Sequence, residues 1–358
     1  MIPIARPFIG PEEEEAVARV VRSGRLAQGP EVAAFEEEFA SLCGAPYAVA
    51  CVNGTAALHL ALLAHDIGPG DEVIVPAFTF AASGNAVLAC GATPIFCDVR
   101  EDDFNIDVAD AETKVNASTK AIMPVHLYGQ VADMDAVTEL ADRYRLAIIE
   151  DACQAHGATY NGRRAGSFST AAFSLYATKN VMSGEGGMVT AQDDNTAERL
   201  RLLRNHGMPE RYVHTTFGMN LRMTDLIAAL GRVQLGRLEE GNKKRHDNAA
   251  YYTQQLHGAI TLPRELPGRE HVWHQYTVRV NNRDAVRQTM VENGVGAEVY
   301  YPTPVHRQAS FGGSGAPALP VAEKLAREVL SIPVYPTLTD DERATIADTL
   351  AAAVKGAE

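Results

Sequence analysis

Apolar strand candidates and amphipathic helix candidates alternate along the chain from residue 47 to about residue 191. Residues 133–143, for example, form a helix candidate with a strand candidate on each side. Strands that alternate with helices are joined by crossover connections, and such chains form a mostly parallel sheet that is covered on both faces. The sequence therefore predicts an α/β fold whose central sheet is mostly parallel.

The composition changes at about residue 241, where a long polar helix candidate begins. Three apolar stretches follow it, at residues 273–280, 286–291 and 297–300. A chain of 358 residues is long enough to form two domains. We therefore expect a large domain at residues 1–240, whose N-terminal segment is able to pack on the second domain, and a smaller α+β C-terminal domain at residues 241–358.

The net charge of −13 argues against a nucleic-acid partner, because phosphate binding requires a basic face that overcomes this repulsion. A small anionic substrate remains compatible with it. The basic run Lys243-Lys244-Arg245 could meet a diphosphate, but a solvated helix face is the more common explanation of such a run.

The cysteines form neither a CxxC pair nor a regular framework, and their odd number leaves at least one unpaired. This usage is typical of a reducing compartment, so we expect a cytoplasmic protein. The chain begins with prolines followed by Glu12-Glu13-Glu14-Glu15 instead of an apolar signal segment, and no apolar run is long enough to span a bilayer. We therefore expect no membrane partner. The five cysteines are Cys43, Cys51, Cys90, Cys97 and Cys153.

Lys179 follows the apolar strand candidate 171–175 and precedes a glycine-rich turn at residues 183–187. A lysine must lose its proton to attack an aldehyde, so a reactive lysine needs surroundings that disfavour its charge. A single lysine between apolar runs is more often a surface residue. An acid and a phosphate-binding turn upstream favour the reactive role, that of the lysine that bonds pyridoxal 5'-phosphate.

Asp151 is the acid, and it ends an apolar run at residues 146–149 that predicts a buried parallel strand. Open α/β sheets bind ligands at the carboxyl ends of their strands. An aspartate there can hold the protonated pyridine nitrogen of the cofactor, although a strand-end aspartate is as often a turn residue. Gln154 is close enough to hydrogen-bond the ring oxygen, whereas His156 is more simply explained as a core histidine.

Asn53-Gly54-Thr55-Ala56 follows a strand candidate at residues 47–52 and begins a helix. Gly54 allows a sharp turn, and Thr55 brings a hydroxyl beside the free amides of the helix N-terminus, which together can bind a phosphate. An ordinary N-cap is the alternative. Phe80, after a strand candidate at residues 71–75, could stack on a planar ring, although a core position is more common for a phenylalanine.

These segments resemble the DegT/DnrJ/EryC1/StrS family, which are sugar aminotransferases of fold type I that depend on pyridoxal 5'-phosphate. The resemblance covers most of the chain, through the segments 24–30, 150–157 and 301–306. Its most specific motifs are at residues 124–129, 174–180, 184–187 and 218–224. Two positions depart from the family pattern, because Asn53 replaces a common serine and Cys153 a frequent alanine.

The resemblance implies a role for each candidate residue. Lys179 would bond the cofactor, Asp151 would hold the ring nitrogen, and Gln154 would contact the ring hydroxyl. The other implied cofactor contacts are Phe80 on the ring face, Gly54, Thr55, Ala56 and Ser174 at the phosphate, and Asn220 and Arg222 from the neighbouring subunit of a homodimer with shared active sites. The implied substrate contacts are Tyr301, His306 and Glu185. We expect no metal.

The predicted reaction moves an amino group from an amino acid, L-glutamate by resemblance, to the keto group of a nucleotide-linked sugar. Family members with histidine in place of Lys179 perform dehydration, so the lysine favours amino transfer. One alternative is a cyclitol or aromatic-precursor aminotransferase of the same family. A noncatalytic regulatory member is the other, but it would have no need to keep Lys179, Asp151 and Gln154 together.

Overall fold

A seven-stranded sheet forms the centre of the computed structural model, which describes residues 1–357. Over this range the strands are β1 (Tyr47–Cys51), β2 (Glu72–Pro76), β3 (Thr93–Cys97), β4 (Thr119–Ile122), β5 (Ala147–Asp151), β6 (Thr159–Tyr160), β7 (Arg163–Arg164), β8 (Thr170–Ser174), β9 (Gly187–Ala191), β10 (Arg269–Glu270), β11 (Tyr276–Arg279) and β12 (Val329–Ile332). The central sheet has the order β1-β9-β8-β5-β4-β2-β3. Only β9 runs against its neighbours, so the predicted mostly parallel sheet is confirmed.

Twelve α-helices surround the sheets in the described part of the chain. They are α1 (Pro11–Ser23), α2 (Pro30–Cys43), α3 (Gly54–Ala64), α4 (Ala81–Ala89), α5 (Val108–Thr113), α6 (Met134–Tyr144), α7 (Asp194–Arg204), α8 (Asp225–Gly236), α9 (Leu238–Gln255), α10 (Arg283–Glu292), α11 (Pro320–Glu328) and α12 (Asp340–Ala357). Side chains cap several of them. At the start of α8, for example, the side chain of Thr224 accepts a hydrogen bond from the backbone N–H of Ile227. Such caps satisfy first-turn amides that have no partner inside the helix.

Each face of the central sheet is covered by its own apolar core, as expected for an α/β fold. Neighbouring residues of β1 point to opposite faces, because Val49 belongs to one core and Ala50 to the other. Phe39 of α2 lies in the core that contains Ala50, and Leu58 of α3 in the core that contains Val49. The carboxyl ends of β1, β2, β5 and β8 consequently share one edge of the sheet.

A third core lies in the C-terminal part of the chain, around the antiparallel pair of β11 and β12. Tyr252, Tyr276, Val286 and Leu350 are buried in it. The predicted boundary at residue 240 falls within the continuous helix α9, so the division into domains at that point stays a prediction. The N-terminal segment joins this part through a bridge between Ile2 and Val295.

The three residues of the basic run on α9 do not all lie at the surface, as the prediction had them. Lys243 and Lys244 lie at the surface, where they pair with Asp247 and Glu240 one turn away. Arg245, by contrast, is only 7% exposed, so interpreting the whole run as a solvated helix face was wrong for this residue. The helix turns Arg245 inward because its side chain lies about 100° from that of Lys244.

All five cysteines are free thiols, and four of them are buried. Within residues 1–357, no helix combines the length and the apolar character needed to cross a bilayer.

Candidate active site

Lys179 lies on the connection between β8 and β9, whose ends are joined by backbone hydrogen bonds. The N–H of Leu175 donates to the carbonyl of Gly186, and the N–H of Ser183 donates to the carbonyl of Leu175, both at 2.8 Å. Burial lowers the pKa of the Lys179 ammonium, while Cys153 and Asp151 nearby act in the opposite direction. The connection therefore presents an amine in surroundings that favour its unprotonated, nucleophilic form.

Two glycines allow the start of α3 to approach the ends of β8 and β9. A Cβ atom on Gly54 would lie 2.6 Å from the Cβ of Ser174, and one on Gly187 would lie 2.2 Å from the carbonyl oxygen of Asn53. Both distances are far below van der Waals contact. Glycine is therefore required at both positions for this packing.

Asp151 ends β5 and is only 5% exposed. Its Oδ2 accepts a hydrogen bond from the hydroxyl of Ser83 at 2.7 Å, and its Oδ1 accepts one from the N–H of Cys153 at 3.2 Å. No basic side chain of residues 1–357 forms an ion pair with it. A buried carboxylate without a cationic partner is costly, so this group is suited to a ligand that carries a positive N–H.

Gln154 joins two tyrosines at the site. Its Oε1 accepts the N–H of Tyr128 at 2.9 Å, and its Nε2 donates to the hydroxyl of Tyr301 at 2.8 Å. The two tyrosine rings stack with an angle of 12° between their planes. Tyr301 has a φ of 63°, a strained conformation for a bulky residue that persists only where the surroundings hold it.

Lys179, Asp151, Gln154 and Tyr301 line one cavity of about 480 Å³ at the carboxyl edge of the sheet. Phe80 lies at its rim, 62% exposed, as the N-cap of α4. Glu185 lies at its rim as well and is exposed. Nine predicted site residues line this active-site cavity: Gly54, Thr55, Phe80, Asp151, Gln154, Ser174, Lys179, Glu185 and Tyr301.

Comparison with known proteins identifies the family. The model of the DegT/DnrJ/EryC1/StrS aminotransferase family matches residues 7–351. The chain belongs to this family.

Relatives and a solved structure agree with that assignment. The dTDP-3-amino-3,4,6-trideoxy-alpha-D-glucose transaminase of Streptomyces venezuelae is 46% identical over 343 residues, which are 94% of this chain and 90% of the relative. A protein of Geobacillus stearothermophilus named pleiotropic regulatory protein is 42% identical over 95% of this chain and 94% of its own. The structure of DesV from S. venezuelae in complex with a ketimine intermediate is similar with a TM-score of 0.94 and 45% identity, and covers 97% of this chain and 94% of that one. The predicted fold type I architecture is thereby confirmed.

DegT/DnrJ/EryC1/StrS enzymes depend on pyridoxal phosphate, and the donors of the active-site cavity fit this cofactor. The cofactor has a phosphate, a ring nitrogen that is positive when protonated, and an aldehyde. The cavity offers the first turn of α3 with Thr55 for the phosphate, the unpaired carboxylate of Asp151 for the nitrogen, and Lys179 for the aldehyde. Each chemical group of the cofactor thus has a complementary residue.

The phosphate end differs from the prediction in one detail. The N–H of Ala56 donates to the side chain of Asn53 at 2.8 Å, so a phosphate would have to share or displace this N-cap. Ser174 accepts the N–H of Tyr176 at 3.3 Å and keeps its own hydroxyl hydrogen for another acceptor. The phosphate contact of Ala56 stays a prediction.

Asn220 and Arg222 are absent from the described lining of the chain's own cavity. Both lie in a segment beside the end of β1, where the N–H of Val52 donates to the carbonyl of Leu221 at 3.0 Å. The guanidinium of Arg222 donates to the side chain of Asn205. In one chain these two residues therefore do not line the active-site cavity, and their predicted contact in the neighbouring subunit stays a prediction.

His306 is close in sequence to Tyr301, which lines the active-site cavity, but His306 itself is absent from the described lining. It is buried, its Nε2 is 3.2 Å from Glu323, and its Nδ1 has no partner among residues 1–357. Burial lowers the pKa of the imidazole, and Glu323 opposes that shift. Its predicted contact with a sugar would require a substrate to reach Nδ1 and stays a prediction.

Sequence reasoning missed several residues that line the cavity. Tyr176 is an exposed aromatic residue three positions before Lys179, and its place within the motif at residues 174–180 is the signal that could have found it. His274, Gln275 and Tyr300 come from the C-terminal part of the chain. No local pattern marks them, because only the packing of that part against the sheet brings them to the site.

Proposed function

We propose that this chain is a pyridoxal 5'-phosphate-dependent aminotransferase that moves an amino group from L-glutamate to the keto group of a nucleotide-linked sugar. The observation that carries the proposal is that Lys179 and the unpaired, buried Asp151 line one cavity. Membership of an aminotransferase family supports the reaction class. The transaminase from Streptomyces venezuelae, which is named for a dTDP-linked amino sugar, supports the substrate class.

When bound, the cofactor supplies an aldehyde for the amino group and a ring that accepts electrons from the amino-bearing carbon. Asp151 keeps the ring nitrogen protonated because its carboxylate has no other cation to neutralise it. Gln154 contacts the ring hydroxyl, and Phe80 covers one face of the ring. Gly54, Thr55, Ala56 and Ser174 hold the phosphate.

Lys179 performs the proton transfer. Its surroundings lower the pKa of the ammonium, so Nζ would take the proton that leaves the amino-bearing carbon of the donor and hold it beside the reacting atoms. In the second half of the reaction the same atom gives a proton to the sugar carbon that receives the amino group. Tyr301 and Glu185 contact the sugar from the cavity wall, and His306 contacts it through Nδ1.

A homodimer with shared active sites accounts for Asn220 and Arg222. In a two-fold dimer, a segment that does not line its own cavity can complete the cavity of the neighbouring subunit. Arg222 would there add a positive charge beside the phosphate.

Subunit mixing tests the shared site. Lys179→Ala chains and Arg222→Glu chains should each be inactive alone, and random refolding makes about half of the dimers mixed. Each mixed dimer contains one intact site, so roughly a quarter of all sites should recover activity. If mixed dimers form without any recovery, the two residues do not serve the neighbouring subunit.

The function itself is tested by incubating the purified, cofactor-loaded protein with L-glutamate and nucleotide-linked keto sugars. We expect release of 2-oxoglutarate and a sugar product in which mass spectrometry finds NH₂ and H in place of the keto oxygen, an increase of about 1 Da. Absence of both with every substrate would refute the proposal.

Two alternatives have distinct outcomes. A cyclitol or aromatic-precursor aminotransferase would release 2-oxoglutarate but bind no nucleoside diphosphate in a calorimetric screen. A regulatory protein is suggested by the name of the Geobacillus stearothermophilus relative. It would release no 2-oxoglutarate under any condition, and Lys179→Ala would leave its regulatory activity unchanged.

A further inference from the structure

A second, smaller cavity shares part of its lining, Lys179 included, with the active-site cavity. This inner cavity has a volume of about 70 Å³ and is covered by residues 4–8 of the N-terminal segment. Five residues line both cavities and form the wall between them: Thr178, Lys179, His274, Gln275 and Tyr300. A group bound in the inner cavity would therefore be adjacent to Lys179.

Arg245 lines the inner cavity and has no acidic partner. Its Nη1 donates only to the backbone carbonyls of Trp273 and His274, at 3.3 and 3.4 Å. Arg204 and Arg269, which are as deeply buried, pair with Glu36 and Asp103. Burial lowers the pKa of Arg245 to about 10, and no carboxylate of residues 1–357 offsets this cost.

Two further polar atoms at the inner cavity have no partner in the described chain. The hydroxyl of Tyr335, a residue only 2% exposed, is buried without a hydrogen bond. The Oε1 atom of Gln275 is likewise unpaired. Buried polar groups are normally satisfied, so unpaired atoms on one cavity wall indicate a ligand that completes them. A guanidinium and a hydroxyl donor match a carboxylate, and the amide oxygen matches an N–H group.

The size of the inner cavity limits the ligand. A volume of 70 Å³ corresponds to about five water molecules, which is enough for a carboxylate with its neighbouring atoms and too small for a nucleoside diphosphate. The phosphate contacts Thr55 and Ser174 line only the active-site cavity, so the cofactor phosphate has a separate site.

We propose that the inner cavity binds a carboxylate of the amino-acid donor, held by the guanidinium of Arg245 and the hydroxyl of Tyr335. This inference rests on the proposed aminotransferase function. It assigns the sugar to the active-site cavity and the donor carboxylate to the inner cavity, which shares Lys179 with it. The orientation brings the donor amine to the Lys179 wall, where the unpaired Gln275 oxygen can accept its N–H.

Calorimetric titration of the cofactor-loaded protein with glutarate tests the site directly. Glutarate has the two carboxylates of glutamate but no amine, so it binds without reacting. We expect glutarate to bind and glutaramide, in which both carboxylates become amides, to bind at least tenfold more weakly, about the value of one charged hydrogen bond. Equal binding of the two compounds, or no binding of glutarate, would overturn the proposal.

Two variants assign the binding to the inner cavity. Arg245→Met should weaken glutarate binding by about tenfold or more, and Tyr335→Phe by about two- to tenfold. Tyr335→Phe removes a hydroxyl that has no partner in the free protein, so its melting temperature should match or exceed that of the wild type. This variant keeps the test valid if Arg245→Met fails to fold. Wild-type affinity in Tyr335→Phe and in any folded Arg245→Met protein would overturn the assignment.

Tyr276→Phe is the matched control, because its hydroxyl bonds Thr253 at 2.9 Å and lies outside both described cavity linings. It should bind glutarate like the wild type. Steady-state kinetics add an independent measurement: KM for L-glutamate should rise in Tyr335→Phe while KM for the sugar does not. An unchanged KM for glutamate in an active enzyme would refute this inference and leave the proposed function intact. Failure of amino transfer would refute the proposed function, whereas glutarate binding would still be measurable.

Discussion

Replacing Gln154 by leucine should reveal how strongly this residue organises the active site. The side chain is only 6% exposed and makes two hydrogen bonds, to the N–H of Tyr128 at 2.9 Å and to the hydroxyl of Tyr301 at 2.8 Å. Leucine has a similar volume but neither a donor nor an acceptor. The substitution therefore removes both bonds with little change in packing.

The size of the effect follows from what each partner loses. The buried N–H of Tyr128 is left without an acceptor, which costs about 1–3 kcal/mol. Tyr301 loses a neutral hydrogen bond worth about 0.5–1.5 kcal/mol. We therefore expect the free energy of unfolding to fall by about 1.5–4.5 kcal/mol.

Urea unfolding of the cofactor-free protein, at one fixed protein concentration, measures this change. Tyr301→Phe is the matched variant and should lose only about 0.5–1.5 kcal/mol. The double variant should lose less than the sum of the two single losses, because both single changes break the same bond. A Gln154→Leu protein within about 0.5 kcal/mol of the wild type, or strict additivity of the two changes, would refute the reasoning.

Three further predictions concern Lys179 and Asp151. Lys179→Ala should still bind the cofactor but lose the visible absorbance of the lysine-bound form and at least about 10²-fold in turnover; sustained transamination would contradict its role. Asp151→Ala should retain cofactor but slow the glutamate half-reaction by about 10²-fold or more in stopped-flow measurements, and an unchanged rate would argue against the ring-nitrogen contact. Because burial lowers the pKa of Lys179 in the folded state, the unfolded chain binds more protons between that pKa and about 10.5, and stability must rise with pH across this window. In urea unfolding of the cofactor-free protein, the wild type should therefore gain stability relative to Lys179→Met from pH 7.5 to 9.5; a constant difference would mean that burial does not shift this lysine.

The positions of Asp151, Gly54 and Lys179 could be predicted from the sequence because each lies at the end of a strand or within a few residues after it. The predicted strand at residues 47–52 corresponds to β1, and the one at 171–175 corresponds to β8. The direction of parallel strands brings their carboxyl ends to one edge, so the sequence order of strands and polar residues is enough to predict that these groups meet.

Contacts between distant parts of the chain could not be predicted in the same way. His274 and Gln275 precede β11, about 95 residues after Lys179, and nothing in their local sequence indicates which wall they form. Arg245 belongs to a basic run of three residues. The rotation of the helix turns this residue inward and leaves Lys243 and Lys244 at the surface. Its burial depends on the packing of α9 against residues 273 and 274, which is a tertiary contact.

This difference in predictability corresponds to a difference in function: the predictable residues act on both substrates, and the others are proposed to bind one substrate each. Lys179 and Asp151, which either substrate requires, lie at the carboxyl edge of the central sheet, where the backbone hydrogen bonds of β5, β8 and β9 fix them. Arg245 and Tyr301, proposed to bind the donor and the sugar respectively, come from the segments after β9. A change of substrate can therefore arise in those segments without moving the catalytic pair, because the sheet holds that pair independently.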